Sequence, residues 1–224
     1  MRPRDLNRYL RDVGWDDSPV PPEQPSIEKS VVGPASKPGA EPLSDLARTA
    51  DGCTLCRLSE GRKTVVFGEG DSRAKVMFIG EGPGAEEDRS GRPFVGQAGQ
   101  LLDAMIFAIG LERGDVYITN IVKCRPPGNR DPEDDEVAAC APYLDRQIEL
   151  IQPKVLVALG KPASHRLTGT TKPISALRGR WSSYSGIPLM PVFHPAYMLR
   201  TPSKKRETWE DLKAIMRRLA TGKV

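Results

Sequence analysis

The stretch Val76-Met77-Phe78-Ile79-Gly80-Glu81-Gly82-Pro83-Gly84 decides the fold of this chain. Its apolar half, Val76 to Ile79, predicts a buried strand, because short continuous apolar runs that end in a turn are typical of strands covered on both faces. The glycine- and proline-rich half cannot continue a strand or begin an ordinary helix, so it forms a tight turn. Open α/β sheets place their sites at such strand-end turns.

The glycine spacing of this turn matches no known phosphate-binding loop. It lacks the Gly-Lys-Ser/Thr ending of a Walker motif, and it is not a clean dinucleotide fingerprint. Taken alone, it is equally well interpreted as a structural turn between a strand and a helix. A second glycine-rich turn, which carries Phe94, follows it and precedes a helix that is predicted from about Ala98.

Strands and helices alternate along the rest of the chain. Apolar runs and helical spacing predict further strands at 116–122, 154–159 and 189–193, a short extended segment at 64–67, and helices at 44–50, 97–109, 161–167, 207–219 and within 132–150. This order predicts an α/β fold, a three-layer α/β/α sandwich with a central, mostly parallel four-stranded sheet. Two polar motifs, Thr119-Asn120 and His194-Pro195-Ala196-Tyr197, stand where predicted strands end.

The chain divides into two predicted parts. Residues 1–42 combine a short helix near the start with a linker rich in Pro, Ser, Glu and Gly, and residues 43–224 form the domain. No apolar run is long enough to span a bilayer and no signal-peptide pattern is present, so we expect a soluble, cytoplasmic protein without a membrane partner. The net charge of +4 permits a polyanionic partner without requiring one.

Four cysteines form a further pattern. Cys53 and Cys56 make a C-x2-C pair, and Cys124 and Cys140 follow later in the chain. Two structural disulfides are not expected in an intracellular protein. The pattern leaves buried thiols, a zinc ion and a [4Fe–4S] cluster open, and the count of ligands alone favours zinc.

Together, the three strand-end motifs and the four cysteines resemble the family 4 uracil-DNA glycosylases, the iron–sulfur branch of that superfamily. The resemblance runs from about Leu43 to about Leu219, and it depends on the combination, since each motif alone is weak. It implies a monofunctional hydrolase that removes uracil from single- or double-stranded DNA and starts base excision repair, acting as a monomer. It also favours a structural [4Fe–4S] cluster, held by all four cysteines, over zinc.

The resemblance implies a role for three residues in binding the base. Phe94 would stack on uracil, and His194 would donate to uracil O2 as negative charge accumulates there. Asn120 would read the base edge, because one fixed amide matches the O4 acceptor and N3–H donor of uracil but not the edge of cytosine. His165, the other histidine, matches no family position and is interpreted as an ordinary helix residue.

The activation of water is less well defined by the pattern. Gly82 stands where family 1 enzymes have an aspartate, so the nearest carboxylates are Glu81, which would line the uracil pocket, and Glu87, which would lie near the sugar. Glu87 is favoured as the assisting carboxylate, with Asn129 as its helper. A solvated acidic turn is the alternative interpretation for at least one residue of Glu86–Asp88.

The segment after the His-Pro motif is implied to contact DNA. Tyr197, Met198 and Leu199 are apolar enough to enter the duplex as the base leaves it, and Arg200 would hold a phosphate. The alternative for Leu199 is that it caps the core. Pro191-Val192-Phe193 departs from the family pattern, since many relatives have a Thr-Tyr pair before the histidine.

Two other functions remain open from the sequence. One is a glycosylase for another deaminated base, and the other is a non-catalytic iron–sulfur protein that binds nucleic acid. Phe94, Asn120 and His194 argue against the binding protein, which needs no base reader. No lysine occupies a recognisable attacking position, so no lyase step is expected, and residues 125–137 lack the histidine that a covalent relative would need.

Overall fold

The structure is a computed structural model that describes residues 43–222, so the helix and linker predicted within 1–42 lie outside the described residues. The elements are α1 (Leu43–Asp51), α2 (Leu58–Gly61), β1 (Glu69–Gly70), β2 (Val76–Gly80), α3 (Ala85–Ser90), α4 (Gln97–Ala108), β3 (Tyr117–Asn120), α5 (Asp134–Ile151), β4 (Val155–Leu159), α6 (Gly160–Thr168), α7 (Ile174–Leu177), β5 (Ser182–Tyr184), β6 (Ile187–Val192), α8 (Pro195–Arg200) and α9 (Lys204–Thr221). Two 3-10 turns, Arg113–Asp115 and Pro127–Asn129, complete them.

The sheet has six strands in the order β1-β3-β2-β4-β6-β5. The four central strands run parallel, as predicted, but both edge strands pair antiparallel to their neighbours. The predicted four-stranded sheet is therefore corrected to a six-stranded mixed sheet. The edge strands escaped prediction because they are only two and three residues long and carry few apolar side chains. Residues 64–67 are extended, and strand pairing begins only at Glu69.

Both faces of the central sheet are covered, which explains the continuous apolar runs. Val76 and Phe78 of β2 pack toward α4 and α9, whereas Met77 and Ile79 pack toward α5 and α6. Alternate residues of a strand point to opposite faces, so a strand between two helical layers must be apolar throughout. The predicted α/β/α layering is confirmed.

The parallel pairing brings the functional motifs to one edge of the sheet. Gly80, at the end of β2, lies directly beside Asn120, at the end of β3. His194 follows the end of β6, two strands away from β2. Carboxyl ends of parallel strands share an edge, and the chain there turns into loops that can hold a ligand.

The acidic run after the glycine turn forms helix α3. Glu86 is exposed, which agrees with the solvated interpretation for at least one residue of the run, whereas Asp88 is buried. Pro132 precedes Glu133, the N-cap of α5. Among residues 43–222, no helix is both long enough and apolar enough to cross a membrane.

Candidate active site

The side chains of Phe94 and Asn120 meet above Gly80. A Cβ added to Gly80 would collide with Asn120 Oδ1 and would lie 2.5 Å from Phe94 Cζ. Glycine is therefore required at this strand end, because any side chain there would displace the aromatic ring and the amide together. Two of the predicted site residues thus share one space, although 26 positions separate them in the chain.

The Phe94 turn is held in an unusual backbone conformation. Phe94 has φ of +51°, a left-handed value that bulky side chains rarely adopt, and its ring is 7% exposed. Its main chain lies against Gly99 in the first turns of α4, where an added Cβ would overlap the Phe94 carbonyl oxygen. Such strain persists only where the surroundings impose it, and it concentrates at ligand sites.

Asn120 presents an unsatisfied acceptor to this space. The residue is 1% exposed, and its Oδ1 accepts no hydrogen bond from any residue that the structure describes. An unpaired buried carbonyl costs about 1–3 kcal/mol, so such groups call for an explanation. A ligand that offers an N–H at this point would satisfy it.

His194 completes the group from the other side of Phe94. The two rings lie 5.7 Å apart between centroids and are tilted by 31°. His194 is the N-cap of α8, where its Nδ1 accepts the backbone N–H of Ala196 at 3.1 Å. Gly160 has no side chain and so leaves room for His194, since a Cβ added there would lie 2.8 Å from the His194 Cβ.

The hydrogen bond to Nδ1 determines which ring nitrogen of His194 carries the proton. Because Nδ1 accepts a hydrogen bond, a neutral ring carries its proton on Nε2. Burial lowers the pKa of His194 to about 4, the charge of Arg200 adds to this effect, and Glu87 opposes it. At neutral pH the imidazole is therefore uncharged, with Nε2–H as its donor.

Glu87 connects the two glycine turns. Its Oε2 accepts the backbone N–H of Gly84 at 3.1 Å, and its Oε1 accepts those of Val95 at 2.9 Å and Gly96 at 3.2 Å. Three amide donors to one carboxylate fasten the turn after β2 to the turn that carries Phe94. The carboxylate lies beside the site, and its oxygens are engaged in shaping it.

Glu81 has a different environment. Burial first, and the neighbouring carboxylate of Asp131 second, raise the pKa of Glu81 to about 7, while Lys161 acts in the opposite direction. Two carboxyl groups close together cannot both ionise easily, so the neighbouring carboxylate adds to burial in favouring the protonated form of Glu81. Gly82 keeps this turn close to β3, since a Cβ there would lie 2.8 Å from Val122 Cγ2.

Asn129 forms its side-chain hydrogen bond with Arg125 and not with Glu87. It is exposed, has φ of +56°, and its Oδ1 accepts from Arg125 Nε at 2.8 Å. The Glu87 carboxylate accepts hydrogen bonds from three backbone amides. Any help that Asn129 gives to Glu87 therefore does not come from a direct hydrogen bond between the two side chains in this structure.

The segment after His194 exposes side chains beside the site. Leu199 is 39% exposed and Arg200 is also exposed. Met198 of the same helix is fully buried in the hydrophobic core. Leu199 therefore does not cap the core. The Tyr197 ring packs on Phe193 with centroids 5.3 Å apart, which fixes the base of the segment.

The four cysteines line a single cavity on the α1 and α5 side of the molecule. Among the described residues, no group of three or more His, Cys, Asp and Glu side chains is close enough to hold a single metal ion. Burial raises the pKa of Cys124 to about 11 and also raises that of Cys140, so these thiols stay protonated unless a cation displaces the protons. Arg62 donates to Cys124 Sγ at 3.4 Å and to the Cys53 carbonyl at 2.8 Å.

A buried carboxylate fastens the cysteine segments to each other. Glu136 of α5 is 0% exposed and accepts from Arg57, which adjoins Cys56, and from Arg130, which lies between Cys124 and Cys140. Both guanidinium groups hold the pKa of Glu136 near 2, with Arg130 as the larger cause. The cysteine turn and the long loop are thus joined by protein contacts alone.

Several residues that shape the site were missed from the sequence. Gly99 and Gly160 create space for Phe94 and His194, and only the presence of a glycine within or at the start of a helix hinted at this. Asp88 ties α3 to the segment after the cysteine turn, accepting the N–H of Lys63 at 2.8 Å. It sits in an acidic run whose sequence does not distinguish it from its exposed neighbours.

Residues 67–213 match the model of the uracil DNA glycosylase superfamily, and the chain belongs to this superfamily. Within it, the chain is similar to proteins named type-4 uracil-DNA glycosylase. The protein from Sulfurisphaera tokodaii is 46% identical over 180 residues, covering 76% of this chain and 82% of that protein. The protein from Saccharolobus solfataricus is 45% identical over 178 residues (75% and 82%), and that from Thermotoga maritima is 48% identical over 164 residues (71% and 85%).

Proposed function

We propose that the protein is a uracil-DNA glycosylase that hydrolyses the N-glycosidic bond of uracil in DNA, leaves an abasic site and so initiates base excision repair. The observation that carries the proposal is the buried, unpaired Oδ1 of Asn120 beside the Phe94 ring. The similarity to proteins named type-4 uracil-DNA glycosylase supports it.

The base is read by stacking and by one amide. A flipped uracil lies on the Phe94 ring, a contact worth about 1–3 kcal/mol. Its N3–H donates to Asn120 Oδ1, and its O4 accepts from the amide nitrogen of the same side chain. Cytosine has no N3–H and offers an amino group in place of O4, so it would leave the buried amide unsatisfied.

His194 stabilises the leaving base. As the glycosidic bond breaks, the electron pair moves into uracil and negative charge accumulates on O2. The neutral imidazole donates its Nε2–H there without needing to be protonated, because the Ala196 N–H holds Nδ1 as an acceptor. A donor fixed in this way is worth a few kcal/mol in the transition state.

Two carboxyl groups assist the sugar and the water. Glu87 offsets the positive charge of the oxocarbenium-like sugar while it keeps the two glycine turns together. Glu81, whose pKa is raised to about 7, would orient water and accept the proton that water releases. Gly82 would let the backbone of the turn lie close to the substrate, and the exposed Asn129 would add a polar group from the loop after Cys124.

The four cysteines suit a [4Fe–4S] cluster better than a single zinc ion. They surround one cavity, yet no three of the described candidate ligands approach closely enough for one ion, whereas a cluster spreads its metals between the ligands. Cys53, Cys56, Cys124 and Cys140 would hold it, and it would supply a structural tie rather than a reaction step. Its thiolate charge is matched by Arg62, which donates to Cys124.

DNA is held by the segment around α8. Leu199 enters the duplex at the position that the base vacates, Tyr197 supports it, and Arg200 contacts a phosphate. Phe94, Asn120 and His194 all come from one chain, so a monomer is sufficient for the reaction. We assign the whole domain to residues 43–224.

The test uses an oligonucleotide with a single uracil, compared with the same strand carrying hypoxanthine or cytosine, followed by alkaline cleavage of abasic sites. Only the strand with uracil should gain an abasic site and be cut by the alkali. His194→Ala should lose on the order of a hundredfold in rate, while His165→Ala, which alters the other histidine, should not. Excision of another base would favour a different glycosylase, and binding without any abasic product would favour a non-catalytic protein.

A further inference from the structure

A buried lysine lies directly beneath the base-reading asparagine. Lys123 is 2% exposed and its ammonium makes three hydrogen bonds. Nζ lies 2.7 Å from the main-chain oxygen of Asn120, 2.6 Å from Thr119 Oγ1 and 2.6 Å from Gln147 Oε1. An ammonium has three donors and no acceptor, so these three bonds satisfy it completely.

The bond to Asn120 acts at the point where the strand ladder ends. The Asn120 peptide joins β3 to the loop that leads to Cys124, and its carbonyl is buried with the residue. Holding that oxygen sets the plane of the peptide and thereby the direction in which the Asn120 side chain leaves the backbone. The N–H of the same peptide, on Ile121, donates to the Gly80 oxygen at 2.9 Å, so without the lysine the peptide would keep one bond but its buried carbonyl would lose its partner.

The lysine is itself held from the helical layer. Gln147 of α5 accepts from Nζ, and its amide nitrogen donates to the Phe67 carbonyl at 2.9 Å and lies 3.2 Å from the Tyr117 hydroxyl. Every polar group of this network has a partner, and such networks rigidify the elements that they join. The main chain of Asn120 is therefore linked to α5 through Lys123 and Gln147.

Retaining a full charge here requires an explanation. Among the residues that the structure describes, Lys123 makes no ion pair with a carboxylate, although it lies beside the cavity that the four cysteines line, and removing an ammonium from water is expensive. A neutral side chain of similar length would fill the same volume at lower cost. The short bond to the reader's own carbonyl is what the charge provides and a hydrocarbon could not.

We propose that Lys123 is a positioning residue for base recognition, which aims the Asn120 amide into the pocket through the Asn120 carbonyl. This inference rests on the proposed role of Asn120 as the reader. Lys123 touches neither the base nor the sugar, so its effect must pass through Asn120.

A double-mutant cycle tests this route with single-turnover excision of uracil. Lys123→Met keeps the length and removes the donors, and it should slow excision on the order of tenfold to a hundredfold, as a small misplacement of a recognition group does. In the Asn120→Ala background the same change should alter the rate by no more than about twofold, because the group it positions is gone. Ile148→Ala, a buried apolar change in the same helix as Gln147, supplies a control of reduced stability.

The outcomes separate positioning from stability. A Lys123→Met effect of equal size in both backgrounds, or a matching slowdown in Ile148→Ala at an equal loss of melting temperature, overturns the proposal. If Lys123→Met does not fold, Lys123→Gln, which keeps a polar head on a shorter side chain and so withdraws the donor from the Asn120 carbonyl, enters the same cycle with the same expectations. A wild-type protein that never excises uracil refutes the proposed function instead, and this is seen before any variant is made.

Discussion

The main chain of Phe94 rests on Gly99, so closely that a single added methyl group would overlap the Phe94 carbonyl oxygen. Phe94 lies in the second glycine turn and Gly99 lies in the helix that follows it. The contact between them holds Phe94 at its left-handed φ of +51°. The aromatic floor of the pocket therefore depends on a glycine in a helix that contributes no side chain to the site.

Replacing this glycine should damage recognition more than stability. Gly99→Ala improves the intrinsic helix propensity of α4 but forces the Phe94 turn to move, and we expect uracil excision to fall by about ten- to a hundredfold. Single-turnover rates measure this. Gly114→Ala is the control, because an added Cβ there meets nothing within 4 Å, and its rate should equal that of the wild type. An unchanged rate in Gly99→Ala would show that the turn position is not needed.

Glu87 should be needed for both the shape and the chemistry of the site. Glu87→Gln removes the negative charge and turns one acceptor into a donor that faces a backbone N–H. We expect a loss of about 1–3 kcal/mol in the free energy of unfolding, together with slower excision. Denaturant unfolding and single-turnover rates test the two effects, and the exposed Glu86→Gln serves as control. A stable, fully active Glu87→Gln would show that the three hydrogen bonds from backbone amides to the Glu87 carboxylate are not needed.

The pH dependence of excision should reflect a neutral His194. Its folded pKa of about 4 lies below its ordinary value, so the ring stays neutral from pH 7 down to about pH 5 and excision should not decline through its protonation in that window. The lowered pKa also makes the free energy of unfolding depend on pH. As the pH falls from about 6.5 to about 4, His194 gains a proton in the unfolded chain but not in the folded chain, so the folded state becomes less stable. Removing the nearby charge in Arg200→Ala should raise the His194 pKa.

Proton NMR of the free protein can follow this titration. The chain has two histidines, so His165→Ala identifies the signals of His194. A His194 midpoint near its ordinary value, or one unaffected by Arg200→Ala, would contradict the buried environment that the structure gives it.

Iron binding should stabilise the fold and leave the reacting groups alone. Cys124→Ser should lose iron and the visible absorbance of a cluster, and its melting temperature should fall before any intrinsic chemistry changes. Iron content, absorbance and thermal unfolding measure this on purified protein. A stable, iron-free and fully active Cys124→Ser would refute the structural cluster, and zinc in place of iron would refute its identity.

Much of this architecture could be predicted from sequence because its central strands are buried on both faces. The runs ending in Gly80, Asn120 and His194 had no polar interruption, and parallel pairing then had to bring their ends together. The short edge strands β1 and β5 carry no such pattern, since strands of two or three residues do not bury enough to leave one. The family resemblance supplied the roles of the site residues, and periodicity alone could not.

What sequence could not predict were contacts between distant parts of the chain. Lys123 directly follows an apolar run. Nothing in the sequence indicates that its side chain reaches the Asn120 carbonyl and Gln147 of helix α5. The sequence also could not show which residue of the acidic run is buried: it is Asp88, whose partner amides are 24 and 25 residues away. Such partners depend on how helices pack onto the sheet, and spacing along the chain does not encode this.

A crystal structure of the protein soaked with uracil, the expected product, tests the central claim most directly. The account predicts density for the base stacked on Phe94, with N3 within hydrogen-bonding distance of Asn120 Oδ1 and O2 facing His194 Nε2. Uracil bound elsewhere, or an Asn120 Oδ1 that stays unpaired beside the bound base, would contradict it.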